Sequence, residues 1–244
     1  MFNKLDVSVI ILAHTVNPKL LYAIDSAQWA NEVLVIWTTK EQAPKLEHAL
    51  VVTSSHVHLH FAAIRNEALQ HAKNDWVFYL DSDEVFTNGS AEKMSAILNK
   101  QISGITVLRR DIFLGKELHW GEVGNMRLLR AFRKSDGHFV RAVHEVAEVN
   151  GEVLDSDISI VHAAHDSIGS FITKIITYAT LDAGLRGSQH VSIVSLFAWP
   201  TGKFFVNYFW KLGILDGWRG LVYASVMSVH SFTVRALLYE KNHA

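Results

Sequence analysis

The stretch Asn74-Asp75-Trp76-Val77-Phe78-Tyr79-Leu80-Asp81-Ser82-Asp83-Glu84 decides how this chain is read. Trp76 to Leu80 is an apolar run with the length and β-rich make-up of a buried strand. It stops abruptly at Asp-Ser-Asp-Glu. Three carboxylates at the end of a buried strand repel one another and are costly to desolvate, so a cation is expected beside them. A hard divalent ion is the simplest candidate. Asp81 and Asp83, two apart, project to the same side if the backbone stays extended. In open α/β sheets, ligands bind just beyond the carboxyl ends of the strands. The stretch therefore predicts an enzyme that holds a metal and, through it, a phosphate; the alternative is a solvated loop in which Ser82 and Glu84 start a turn.

Strand and helix signals alternate on both sides of it. Val7–Ala13 reads as a buried strand. Asn17 and Pro18 open a helix with Leu20, Leu21, Ile24 and Ala27 on one face. Glu32–Trp37 is a second strand, Glu41–Leu50 a helix and His56–Phe61 a third strand. Ala62–Lys73 and Ala91–Asn99 are helical. This order predicts a mainly parallel sheet covered on both faces, an α/β class. After Lys100 come shorter strands, Gly104–Arg109, Ile112–Leu114, Met126–Arg133 and His138–Val149, with turns at Asp136-Gly137 and Asn150-Gly151. Ile158–Val161 is strand-like, and Ser170–Ala183 reads as a helix. The expected organisation is a catalytic domain over residues 1–190, with halves 1–100 and 101–190, and a helical aromatic extension over 191–244.

Hydrophobic residues make up 49% of the 244 and charged residues 19%, enough for a sizeable core and too apolar for disorder. A net charge of −1 gives no case for nucleic acid as a partner. The absence of cysteine excludes disulfides, thiolate metal sites and cysteine nucleophiles. The N-terminus lacks a signal-peptide cleavage site, which makes a cytoplasmic location the default expectation. No uninterrupted apolar run reaches the roughly 20 residues of a membrane span; Gly220–Val234 comes nearest. From Trp199 onward, aromatic residues alternate with Lys203, Lys211 and Arg219, and five Lys/Arg stand against Asp216 and Glu240. That composition suits peripheral contact with a membrane surface; the alternative is packing of these aromatics on the main domain.

Val7–Ala13, the run Phe61-Ala62-Ala63-Ile64-Arg65-Asn66-Glu67-Ala68-Leu69, Asp75–Glu84, Val143-His144-Glu145 and Asp216-Gly217-Trp218-Arg219-Gly220 fall, in order and spacing, as in the family 2 glycosyltransferases. The chain resembles most the subgroup that includes bacterial lipopolysaccharide-core glucosyltransferases, over roughly residues 5–240. The resemblance implies a GT-A-like fold, a nucleotide-sugar donor such as a UDP-sugar, a divalent metal (Mn²⁺ or Mg²⁺) and inversion at the anomeric carbon. It implies a glycan or glycolipid acceptor of the cell envelope, met at the inner face of the cytoplasmic membrane. It puts Asp83 on the metal and the donor diphosphate, Asp81 beside the ribose or metal, and Arg65 near the nucleotide. For Arg65 the alternative is a surface ion pair with Glu67 or Asp83. Glu145 matches the acid of the family's His-Glu pair and would be the base. His144 and His162 would orient acceptor or metal, and Arg130 would face the phosphates.

The sequence departs from the family after its first strand, where His14-Thr15-Val16-Asn17-Pro18 replaces an acidic pair. It departs again after the second, where Trp37-Thr38-Thr39-Lys40-Glu41-Gln42 lacks the aspartate that holds the nucleoside. Trp37 can stack on a base instead or be a core residue. His56, His58 and His60 share a strand face, but their spacing of roughly 7 Å per pair fits one zinc ion poorly. Two further readings stand beside the enzyme. One is a non-catalytic scaffold subunit of an envelope-glycan complex, motivated by the altered 37–42 region. The other is a nucleotidyltransferase, disfavoured because no Gly-rich phosphate loop follows the first strand.

Overall fold

The computed structural model describes residues 3–56, 61–141, 145–187 and 189–243. The chain divides into two compact units, residues 1–109 with 127–162, and residues 110–126 with 163–244. These boundaries differ from the division at residue 190 read from the sequence.

The first unit is built on strands β1 (Leu5–Ala13), β2 (Ala30–Trp37), β3 (Leu50–Thr53) and β4 (Trp76–Asp81). They are parallel in the order β3-β2-β1-β4, so the chain leaves β1 in one direction and returns on its other side. The carboxyl ends of β1 and β4, with Leu12 opposite Asp81, form the topological switch point of the sheet. β8 (Met126–Arg133) adds antiparallel to β4, and β6 (Gly104–Phe113) and β11 (Val153–His165) follow. The short β5 (Glu84–Phe86) pairs antiparallel with β11, His162 opposite Glu84.

Side-chain alternation explains the two layers. Val9, Ile11, Val35, Phe78 and Leu80 face one side, where α1 (Pro18–Ser26) and α3 (Ser90–Leu98) bring Leu20, Ile24, Met94 and Ile97. Ile10, Leu34, Val77 and Tyr79 face the other, where α2 (Phe61–His71) brings Ile64, Ala68 and Leu69. Each such fully buried side chain contributes roughly 1.5–3 kcal/mol. Asn17 caps α1, its side chain accepting from Leu20 N at 3.0 Å, with Pro18 opening the first turn. The mixed α/β class read from the sequence is the one observed.

Some local readings fail. No helix forms over 41–49: Pro44 has no N–H, and Trp37 instead donates its indole N–H to Glu41 O at 3.2 Å. The strand beside β2 is Leu50–Thr53 rather than His56–Phe61; residues 57–60, including His58 and His60, lie outside the described residues. The Gly104–Arg109 and Ile112–Leu114 segments are one strand, β6, and His138–Val149 is the hairpin β9 (Gly137–Val140) and β10 (Val146–Val149).

The second unit holds β7 (Lys116–Leu118), which pairs with Asp111–Phe113 of β6, and helices α4 (Ile168–Leu185), α5 (Ser195–Phe205) and α6 (Trp218–His243). A π turn at Val206–Trp210 and a 3₁₀ turn at Gly213–Asp216 join α5 to α6. Asp216 is buried and accepts from His119 N and Trp120 N. Gly220 packs so closely that an added Cβ would lie 1.9 Å from Gly213 O. The Asp216–Gly220 motif is thus a structural clasp of this unit.

By length and composition, α6 is able to cross a membrane, although no uninterrupted apolar run of that length was read in the sequence. Its small and apolar face, with Ala224, Val234 and Leu238, packs instead against α4 and α5.

Candidate active site

Period-two alternation places Asp81 on the same face of β4 as Tyr79, which is the face covered by α2. Helix α2 directs Arg65 at that point, and β8 brings Arg130. Arg65 Nη2 donates to Asp81 Oδ1 at 3.0 Å, and Arg130 Nη2 donates to Asp81 Oδ2 at 2.7 Å. The same Arg130 nitrogen donates to Glu84 Oε1 at 2.6 Å, while Glu84 Oε2 accepts from Asp81 N at 3.0 Å. Arg65 Nε donates to Glu145 Oε1 at 3.1 Å. Three carboxylates and two guanidiniums therefore form one network.

At Asp81 and Glu84, two of the three crowded carboxylates, the neighbouring cation is arginine. Burial opposes ionisation of Asp81, but the Arg130 and Arg65 guanidiniums overcome it and hold its carboxyl well below the usual carboxylate range. Glu84 is fully buried; burial, with the Asp81 charge adding to it, pushes its carboxyl up despite Arg130. Burial also works against the Arg130 charge, and Asp81 and Glu84 reverse that effect and raise its pKa.

Arg65 is buried and fixed from several sides. Its guanidinium lies 5.4 Å from the Tyr79 ring centroid and 5.3 Å from that of Phe139. Tyr79 donates its hydroxyl to Arg65 O at 2.7 Å. The next residue, Asn66, donates to Phe139 O and accepts from Phe139 N, both at 2.8 Å, which fastens β9 to α2. The ion-pair partners of Arg65 are Asp81 and Glu145, while Glu67 accepts from Ser54 and Ser55.

Among the described residues, two buried donors in this network have no hydrogen-bond partner, Arg65 Nη1 and Arg130 Nε. An unpaired N–H on a buried guanidinium costs the desolvation of a charged donor. The planar fork of a guanidinium matches phosphate geometry.

Residues 37–147 match the family described as Glycosyl transferase family 2. The matched span contains Arg65, Asp81, Asp83, Arg130 and Glu145. A 90-residue stretch is 34% identical to a TPR repeat-containing protein of Synechococcus elongatus, covering 36% of this chain and 21% of that protein. Among solved structures, S. aureus TarS is similar at 12% identity and a TM-score of 0.47, over 96% of this chain and 55% of that one. TarS 1–349 gives 0.46, over 97% and 91% of the two chains. Its complex with UDP-GlcNAc gives 0.44. This chain spans only 21% of the curated relative's length and 55% of TarS.

The remaining site positions separate into three groups. A turn at Ser82-Asp83 interrupts the extended backbone, so Asp83 does not follow Asp81 on its face. Asp83 Oδ2 lies 3.7 Å from His162 Nε2 on β11. Trp37 is buried in the core with its indole held by Glu41, so it offers no open face to a base. His144 lies outside the described residues.

Among the described residues, no three His, Asp or Glu side chains form a metal-holding group on their own. Asp83 and His162 supply one carboxylate and one imidazole, which fits a divalent ion that takes its other oxygens from a diphosphate. Both Asp81 oxygens are occupied by guanidiniums. The Arg65, Arg130 and Glu145 grouping was signalled in the sequence only through the family resemblance. The roles of Asn66 and Glu84 were missed; the carboxylate immediately after Asp-Ser-Asp was the available signal for Glu84.

Proposed function

We propose that this chain is an inverting glycosyltransferase that moves a hexose from a nucleotide-sugar donor, a UDP-sugar, to a glycan or glycolipid of the cell envelope. It would act at the inner face of the cytoplasmic membrane. The observation that carries this reading is the network in which the buried Arg65 and Arg130 meet Asp81 at the carboxyl end of β4, with the carboxylate of Glu145 tied to Arg65.

In this reading the acceptor hydroxyl gives its proton to Glu145 as its oxygen attacks the anomeric carbon. The bond from that carbon to the diphosphate oxygen breaks, and the nucleoside diphosphate leaves with the electron pair. The guanidiniums of Arg65 and Arg130 would donate to the phosphate oxygens as charge grows on them. Asp83 and His162 would hold a divalent ion, Mn²⁺ or Mg²⁺, which supplies Lewis-acid stabilisation to the leaving group. Arg65 orients Glu145 while Tyr79 and Phe139 hold Arg65.

The test is calorimetry and turnover with a panel of nucleotide sugars, with and without Mn²⁺ or Mg²⁺. Metal-dependent nucleotide binding that is lost in Asp83→Ala supports the reading. No transfer or hydrolysis with any donor, together with nucleotide affinity unchanged in Asp83→Ala, overturns it. A non-catalytic scaffold is favoured by one observation, the buried Trp37 and the carboxylate-free Thr38-Thr39-Lys40 that follows it. It predicts no metal-dependent nucleotide affinity in the same measurements.

A further inference from the structure

The segment 195–217 of the second unit is built inside out. Its buried residues are Pro200, Asn207, Gly213 and Asp216. Asn207 donates to Glu122, which also accepts from Lys203 Nζ at 2.6 Å, and Asp216 holds the backbone of His119 and Trp120. The large apolar side chains point outward: Phe197, Trp199, Phe205, Phe209 and Leu215 are each about half exposed or more, and Trp210 is 84% exposed. Stacked and edge-on ring contacts join Phe204, Phe205, Tyr208 and Phe209 into one cluster. Polar groups inside and aromatic groups outside invert the ordinary arrangement for a surface in water.

Charge narrows the choice of what covers this face. Between residues 183 and 239 the only acidic residue is Asp216, which is buried. The same span holds Arg186, Lys203, Lys211, Arg219 and Arg235. Arg219 and Arg235 lie over the Trp218 and Trp199 rings, at 4.6 and 4.8 Å from their centroids. A second copy of this face would bring like charges together. Tryptophan and phenylalanine interleaved with cations, with no exposed carboxylate within residues 197–219 themselves, match the boundary between anionic headgroups and acyl chains.

We infer that residues 197–219 form a docking surface for an anionic lipid bilayer, with Phe205, Phe209, Trp210 and Leu215 entering the headgroup boundary. Lys211 and Arg219 meet the phosphates. This deepens the proposal of a membrane-borne glycolipid acceptor and takes its meaning from it, but it is tested without donor or acceptor.

The full chain is co-sedimented with vesicles of phosphatidylcholine alone and with phosphatidylglycerol added. Binding to the anionic vesicles is expected, weakening as salt rises. The pair Trp210→Ser/Leu215→Ser should lower partitioning at least about tenfold, and Lys211→Glu should lower it on anionic vesicles only. These side chains are exposed, so circular dichroism should show the fold retained. No sedimentation with either vesicle, equal sedimentation with both, or sedimentation unchanged by the paired substitution overturns the inference. So does a dimer in analytical ultracentrifugation that the same pair abolishes, because a second copy would then cover the face. Nucleotide binding by calorimetry is read separately, so failure of the surface and failure of the transferase reading are distinguishable.

Discussion

The guanidinium of Arg65 and the carboxylate of Glu145, 80 residues apart in sequence, meet at 3.1 Å. The contact joins a residue of helix α2 to the candidate base, and it gives the two residues separable signatures. Glu145→Gln keeps the shape and removes the proton acceptor, so kcat should fall about 10²- to 10⁴-fold with nucleotide affinity little changed. Arg65→Ala removes the proposed phosphate donors and the anchor of Glu145 together. It should weaken nucleotide binding about 10- to 100-fold, the scale of a lost charge-assisted hydrogen bond. Titration calorimetry with single-turnover kinetics measures both.

Asp83 and His162 are expected to behave as a pair. Asp83→Ala and His162→Ala should each abolish the metal-dependent part of nucleotide binding, and the double variant should lose little more, because groups that share one ion are non-additive. Mn²⁺ titration followed by electron paramagnetic resonance checks this. Strictly additive losses would separate the two residues.

Arg130 neutralises a fully buried carboxylate. Arg130→Met should cost about 3–5 kcal/mol, because it strands Glu84 without a counter-charge. Arg130→Met/Glu84→Gln should recover part of that loss. Urea unfolding at neutral pH measures both variants.

Asp81 and Glu84 should give acid responses of opposite sign. The Asp81 carboxyl is depressed in the folded state, so its stabilisation is complete above the unfolded value of about 3.9 and is lost as pH falls below it. The Glu84 carboxyl is raised, so its ionisation costs stability as pH rises from about 4.3 through the folded value, and acidification returns that cost. Between neutrality and about pH 3, Asp81→Asn should therefore lose less stability than the parent and Glu84→Gln should lose more. Unfolding curves at the two pH values decide it; changes of the same sign would contradict the assignment.

Two glycines of the second unit offer a paired test of packing. Gly220→Ala drives a Cβ into Gly213 O and should destabilise by about 1–3 kcal/mol or more. Gly202 in α5 has nothing within 4 Å of the added atom, so Gly202→Ala should be neutral or gain up to about 1 kcal/mol. Thermal unfolding monitored by circular dichroism compares them.

Strands β1, β2 and β4, the Asn17-capped helix and the helix carrying Arg65 were legible in the sequence, because periodicity and caps are local properties. The 41–49 segment was misread because its apolar residues, Ala43, Leu46 and Ala49, reach the core from an irregular chain. The carboxylates at the end of β4 were legible as a charge problem that needed a cation. Only the tertiary structure decided that the cations are Arg65 and Arg130, 16 and 49 residues away from Asp81, and that Glu145 joins them. Ion pairing is settled by which side chains packing brings within a few ångströms, and spacing along the chain does not record that. For the same reason the sequence set the aromatic and basic make-up of residues 197–219, while the fold alone determined that the polar residues there turn inward and the aromatic ones outward.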